Sequence, residues 1–273
     1  MTTLLRKLQE KFPDRSRDEL YGLIMCGEIE IGGERIRDPR AVIAADAEPR
    51  IRARQFVSRG GIKLAAALDD FGIAPEGLTV LDAGSSTGGF TDCLLQRGAA
   101  LVHAVDVGTN QLAWSLRSRS DVRVYERTNI MSLDSLDPTP DIATCDLSFR
   151  SLRGVANHIL SLTAKRQLIA LAKPQFEWGD TPDSFDGVVR DVDTVLEILI
   201  ALVCALREEQ VHVVDVAEST IAGREGNREF FLDLRPNRGS GSIDATELVR
   251  LAVHHPKDSL DSGSHTSGLS GAK

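Results

Sequence analysis

Acids, glycines and hydroxyl residues crowd into one short stretch, which reads Val80-Leu81-Asp82-Ala83-Gly84-Ser85-Ser86-Thr87-Gly88-Gly89-Phe90. An apolar run enters a Gly/Ser loop, and the loop leaves into a helical pattern. Gly84 lets backbone approach a ligand closely, and Gly88-Gly89 allow a tight turn. The helix N-terminus offers free N–H groups to an anion. Asp82 stands at the loop entrance. Asp106 ends the next apolar run, roughly 20 residues on, where nucleotide-binding sheets carry a ribose-binding acid. The spacing is G-x-x-x-G-G, not G-x-G-x-x-G. An acid two residues before the first glycine suits a ligand with a cationic group better than a pyrophosphate. S-adenosylmethionine (AdoMet), with its ammonium, carboxylate, sulfonium and ribose, meets that description. A ligand-free structural turn is the alternative, and a nicotinamide dinucleotide fits the spacing less well.

Two further segments end in charge. Thr144-Cys145-Asp146-Leu147-Ser148-Phe149 and Leu171-Ala172-Lys173-Pro174-Gln175-Phe176 each carry a strand-like apolar run into a charged residue. Open α/β sheets bind ligands at the carboxyl ends of their strands, so an Asp and a Lys there can face one cavity. Lys173 precedes Pro174 and is therefore biased to an extended backbone. Taken singly, each charge also reads as an ordinary solvated strand end. The four cysteines include no C-x-x-C and no Cys/His cluster, so neither a metal site nor a disulfide scaffold is expected.

The elements that must position these residues follow from the periodicity. Strands are expected at 79–83, 101–105, 122–125, 142–145, 167–172, 211–218 and 229–234. Helices are expected at 61–71, 89–96, 113–117, 151–162 and 193–207. The alternation implies an α/β fold with a doubly wound, mostly parallel sheet. The last two strands share a loop without a helix and should pair antiparallel at one edge. Trp114 reads as a half-buried helix aromatic. Ahead of this body, Leu4, Leu5, Leu8 and Phe12 recur at helical spacing until Pro13. Ser16 and Glu19 form a capping box for a second helix, and Gly32-Gly33 turn a hairpin. The division is a small α+β unit at 1–51, a polar linker at 52–60, the α/β body at 61–253 and a Ser/Gly-rich tail at 254–273, expected to be disordered.

The 273 residues are 42% hydrophobic and 26% charged, the composition of a globular protein. Up to Lys63 the chain has 13 Lys/Arg against 10 Asp/Glu, and the remainder is strongly acidic within a total of −8. A polyanion would therefore meet the front first, and Arg6, Arg17, Arg50, Arg52, Arg54 and Arg59 are the candidate phosphate contacts. The longest apolar stretch, 195–206, contains Glu197 and is too short to span a bilayer. The N-terminus has no apolar signal core. A cytoplasmic protein without membrane contact is expected.

Several motifs occur in a fixed order: Ser58-Arg59-Gly60-Gly61-Ile62-Lys63-Leu64, the Asp82–Phe90 loop, Gln111-Leu112-Ala113-Trp114, Glu126-Arg127-Thr128-Asn129, Asp146-Leu147-Ser148-Phe149, Lys173-Pro174-Gln175-Phe176, Gly187-Val188-Val189-Arg190 and Gly226-Asn227-Arg228-Glu229. In this order they resemble the TlyA (hemolysin A) family of ribosomal RNA 2′-O-methyltransferases, related to the FtsJ/RrmJ group, over about residues 1–235. The resemblance implies a Rossmann-like class I methyltransferase with a seven-stranded sheet and helices on both faces. It also implies an N-terminal RNA-binding domain of the ribosomal protein S-four type, AdoMet as methyl donor and a cytidine ribose in small- or large-subunit RNA as acceptor. Lys63, Asp146, Lys173 and Glu229 match the family's catalytic set. Asp82, Gly84, Ser85, Ser86, Thr87, Gly88, Gly89, Phe90, Asp106, Asn129 and Asp146 fall at cofactor-binding positions. The chain departs from the family in the extra acids Asp180, Asp183 and Asp186 and in Arg150, where an apolar residue is usual.

A ribose hydroxyl is a weak acid, so its attack on a methyl group needs a base nearby. Lysine serves only when neutral. A second cation favours that form, and neighbouring carboxylates oppose it. The residue types leave open whether Lys63 or Lys173 is the base. Two other functions stay in view: a non-catalytic RNA-binding or ribosome-assembly factor on this fold, and a cytolysin. The cytolysin rests only on the family's second name, and no signal peptide, membrane run or strongly amphipathic helix accompanies it.

Overall fold

The computed structural model describes residues 2–25, 29–36, 38–44, 46–51, 55–182, 184–236 and 244–254. The chain divides into two compact units between Gln55 and Phe56.

In the first unit, strand β1 (Thr2–Thr3) leads into helix α1 (Leu4–Lys11), followed by α2 (Arg17–Met25), β2 (Ile29–Ile31), β3 (Glu34–Ile36), β4 (Val42–Ile43) and β5 (Arg50–Ile51). Leu4, Leu5 and Leu8 line one side of α1 and pack with Leu20, Ile24, Ile29 and Ile43 into a core of their own. The β2–β3 hairpin turns at Gly32 and Gly33, and β5 pairs antiparallel with the other edge of β2. Strand β5 thus falls at the end of the small unit expected at 1–51. A two-residue strand carries no readable periodicity, and pairing alone defines it.

The second unit starts with α3 (Arg59–Asp70). Seven strands follow: β6 (Thr79–Ala83), β7 (Leu101–Val105), β8 (Val122–Tyr125), β9 (Ile142–Cys145), β10 (Leu168–Ala172), β11 (Val211–Glu218) and β12 (Phe230–Pro236). Between and after them lie α4 (Gly89–Gln96), α5 (Trp114–Arg117), α6 (Ala156–Ser161), α7 (Pro174–Glu177), α8 (Val192–Glu208) and α9 (Ala245–His254). The sheet order is β11-β12-β10-β9-β6-β7-β8. All neighbours are parallel except β12, which runs against both β10 and β11.

Alternation along the strands splits the core in two. Leu81 and Ala83 face the layer of α6, α8 and α9. Val80 faces α3, α4 and α5. The expected seven strands are all present with the expected antiparallel edge. Helix α6 is shorter than the expected 151–162, because the segment after Phe149 is held as a loop by side chains described below. Helix α9 closes the body expected at 61–253, in a stretch for which no helix was expected; Val249, Ala252 and Val253 are its buried residues. Tail residues 255–273 lie outside the described residues. Trp114 is exposed rather than half-buried: Leu116 within the single-turn α5 and Leu112 just before it take the buried positions, against Gly88. Among the described residues no helix is long and apolar enough to cross a membrane.

Candidate active site

The parallel strands deliver their carboxyl ends to one rim, and the glycine loop opens from the first of them. Gly84 has φ +85°, and a Cβ there would stand 2.4 Å from the Asp146 carbonyl oxygen, so only glycine lets the loop cross the end of β9. Gly88 (φ +94°) is the left-handed N-cap of α4. Ser86 is also left-handed, at φ +47°, and its N–H donates to Asp106 Oδ2 at 2.7 Å. The Gly108 N–H donates to Asp106 Oδ1 at 2.7 Å. Two backbone donors thus fix the Asp106 carboxylate beside the glycine loop. Asn129 is exposed and uses its Oδ1 to cap a short 3-10 turn through the Met131 N–H.

Asp82 departs from its expected role. The sequence pattern offers it to a cationic ligand at the loop entrance, but the carboxyl is fully buried beneath the loop. The Thr91 hydroxyl of α4 donates to it at 2.6 Å, and the Thr144 hydroxyl of β9 at 3.3 Å. Strand parity explains the placement. Asp82 shares the Val80 side of β6, which packs on α4, and it stands directly opposite Thr144 in register. Desolvation is the largest influence on this group and pushes its pKa up to about 7, against the two threonine hydrogen bonds that favour the carboxylate. Thr91 and Thr144 are the site residues that motif reading passes over. A threonine at the matching place in a neighbouring apolar strand was the available signal.

Four charged side chains converge on the rim. Asp146 follows β9 and Lys173 follows the adjacent β10, and Lys173 Nζ stands 2.5 Å from Asp146 Oδ1. Lys173 also donates to Ser148 Oγ at 3.3 Å and lies 6.0 Å from the centre of the Phe176 ring. Glu229 immediately precedes β12. Because β12 runs antiparallel to β10, with Phe230 opposite Ala172, its beginning falls beside Lys173 at the same rim. Lys63, from the second turn of α3, reaches Glu229 Oε2 at 2.5 Å. Both lysines and Glu229 are more than nine-tenths buried, while Asp146 keeps 29% of its side chain open. Phe149, left-handed at φ +60°, is 88% exposed beside this rim, its ring centre 4.9 Å from that of Phe176.

The basic residues fare differently. Arg6 is exposed and pairs with Glu10 one turn along α1, and Arg17 and Arg50 are exposed. Arg59 donates to the Ala222 carbonyl at 2.5 Å, bracing α3 against the loop that carries Glu229. Arg52 and Arg54 lie outside the described residues. Of the extra acids, Asp186 is paired in two contacts with Arg190, Asp180 is exposed and Asp183 lies outside the described residues. Among the described residues no group of three His, Cys, Asp or Glu side chains could hold a metal ion.

A mostly parallel seven-stranded sheet with one reversed strand, a glycine loop after its first strand and a fixed acid after its second defines a Rossmann-like methyltransferase. The chain belongs to the FtsJ-like methyltransferase family, whose profile matches residues 56–235. It is 40% identical over 227 residues to the 16S/23S rRNA (cytidine-2′-O)-methyltransferase TlyA of Mycobacterium tuberculosis, covering 81% of this chain and 85% of that one. It is 34% identical over 220 residues to Hemolysin A of Brachyspira hyodysenteriae, covering 79% and 92%. A solved structure from Streptococcus thermophilus, described as a candidate hemolysin, superposes with a TM-score of 0.69 at 32% identity over 92% of this chain and 95% of the other.

Burial of Asp82 has a pH signature. Its folded pKa of about 7 lies above the ordinary 3.8, so between these values the native state holds a proton that the unfolded chain has lost. Its contribution to stability therefore falls as pH rises from about 4 to about 7. Asp82→Asn cannot ionise and should narrow the difference in melting temperature between pH 5 and pH 8 by a few degrees, on the order of 1–2 kcal/mol. Thermal unfolding of both proteins at the two pH values checks this; an unchanged difference would mean that the carboxyl is not charged at a cost.

Proposed function

We propose that this protein is an AdoMet-dependent ribosomal RNA 2′-O-methyltransferase acting on a cytidine ribose in the cytoplasm. The observation that carries the reading is the charged rim, Lys63–Glu229 beside Lys173–Asp146, at the mouth of the glycine loop. The family supports the reaction type, and the relatives named as cytidine-2′-O-methyltransferases support the substrate class.

The residues at the loop fit AdoMet. Asp106 is fixed by two N–H groups with its carboxylate facing the mouth, which suits a ribose diol. The loop glycines keep side chains out of the crossing between β6 and β9. The half-open Asp146 supplies the negative charge that Asp82 cannot. AdoMet supplies an electrophilic methyl group carried on a sulfonium. Lys173 is the group we assign to take the proton of the ribose hydroxyl, with Asp146 and Ser148 keeping its amine aimed at the rim. Glu229 holds Lys63 as the second cation of the site. Phe149 offers an aromatic face on which a nucleobase can stack. Much of the acceleration would come from holding the reacting atoms in line. We assign RNA capture to the first unit, read as an S-four-type domain, with Arg6, Arg17 and Arg50 on phosphates.

Transfer of a labelled methyl group from AdoMet to purified ribosomal subunits tests the chemistry. Lys173→Ala should lower the rate by about 10²–10⁴-fold and leave AdoMet affinity within about twofold. Lys173→Arg should not rescue it, because a guanidinium stays protonated. An arginine variant with most of the activity would show that the residue orients RNA and would pass the role of base to Lys63. For the first unit, replacing Arg6, Arg17 and Arg50 together by alanine should weaken RNA binding and flatten the dependence of log affinity on log salt by about three phosphate contacts. Titrations at several salt concentrations read the slope, and an unchanged slope would remove these residues from the interface.

A further inference from the structure

The four residues after Lys173 do more than continue the chain. The segment Lys173-Pro174-Gln175-Phe176-Glu177 makes one tight turn, in which the Glu177 N–H returns to the Lys173 carbonyl. Its two ends grip the segment that follows β9. At one end Lys173 pairs with Asp146 and donates to Ser148. At the other end the Glu177 carboxylate takes the Ser151 hydroxyl on Oε2 and the Leu152 N–H on Oε1, the latter at 2.9 Å. Between these grips the Phe176 ring meets the Phe149 ring. Ser151 Oγ in turn accepts the Arg153 N–H at 3.1 Å, so the loop is tied internally where Glu177 holds it.

Glu177 is 3% exposed, an expensive place for a carboxylate. Burial raises its pKa, against the hydrogen bonds from Ser151 and Leu152. The motif pattern assigns it no role, and its carboxylate is engaged by Ser151 and Leu152 rather than by the charged side chains of the rim. What it holds is the far end of a loop whose near end carries Asp146 and whose middle carries Phe149 in a left-handed conformation. Such a conformation in a bulky residue persists only where the surroundings over-determine it.

We infer that Glu177 is a positioning residue of the methyl-transfer site: by fixing Ser151 and Leu152 it presents Phe149 at the rim and keeps Asp146 against Lys173. This rests on the reading of the rim as the methyl-transfer site. Glu177→Gln keeps an acceptor for Leu152 and a donor for Ser151, so it should work nearly as well. Glu177→Ala leaves the loop tied at one end only.

The experiment uses the full chain, with trypsin as a probe of the loop and single-turnover methyl transfer to ribosomal subunits as a probe of the site. Glu177→Ala should be cut after Arg150 or Arg153 about tenfold faster than the parent, with local opening now easier. It should transfer methyl about tenfold more slowly per folded molecule at saturating substrates, while its AdoMet affinity stays within about twofold. Glu177→Gln should stay within about threefold of the parent in both assays. An alanine variant that only melts earlier, with parental cleavage and parental transfer per folded molecule, overturns the inference. So does a glutamine variant as impaired as alanine. Should the alanine variant not fold, Ser151→Ala removes one of the two bonds and should shift cleavage and transfer about threefold in the same directions; parental values there overturn the inference as well. A parent that transfers no methyl group overturns the methyltransferase reading and the inference with it. The cleavage ratio identifies that case, because it would still report a loop held by Glu177.

Discussion

Lys63 and Glu229 meet 2.5 Å apart with almost no access to water, and Lys173 meets Asp146 at the same distance one strand further along. Taking such charges out of water costs several kcal/mol per ion, and it is repaid only where partners and hydrogen bonds are in place. The requirement reaches across the fold. Asp146 and Lys173 arrive at the rim because β9 and β10 are parallel neighbours. Glu229 arrives there only because β12 is inserted antiparallel next to β10, which brings the start of β12 to the edge where the parallel strands end. The long β11–β12 hairpin makes that reversal possible without a crossover helix, and α3 closes the arrangement with Lys63.

The glycine loop meets the same demand by other means. Its support is a buried carboxyl, Asp82, tied to Thr91 on the helix that follows and to Thr144 on the neighbouring strand. These bonds pin three elements around the loop. Asp106 is half-buried at the end of β7, where the Ser86 and Gly108 N–H groups hold its carboxylate. One acid is tied to two side-chain hydroxyls and the other to two backbone N–H groups, although both sit at strand ends and look alike in sequence. A pre-set carboxylate and a rigid loop reduce what must be ordered when a ligand binds.

Much of this is legible in the sequence. The seven strands stand out because each is an apolar run bounded by turn residues, and the order of the motifs marks Lys63, Asp146, Lys173 and Glu229. Three things were not legible. The direction of Asp82 depends on which face of β6 packs on α4, and one strand alone cannot reveal that. The exposure of Trp114 depends on Leu116 taking the inward side of a single turn that the buried Leu112 leads into. Glu177 acts through Ser151 and Leu152, contacts made between two loops that no periodicity describes. Strand β5 has only two residues and is defined by its pairing with β2 alone.

The central claim is that the rim transfers a methyl group to a ribose hydroxyl of ribosomal RNA. A 2′-O-methylated ribose resists alkaline hydrolysis at its own phosphodiester, so the modification can be mapped along whole rRNA. Total rRNA from cells that contain the gene, compared with rRNA from cells that lack it, tests the claim most directly. The account predicts that protection disappears at a cytidine in one or both subunit RNAs and returns when the intact gene is restored. Identical protection maps in the two strains would contradict it.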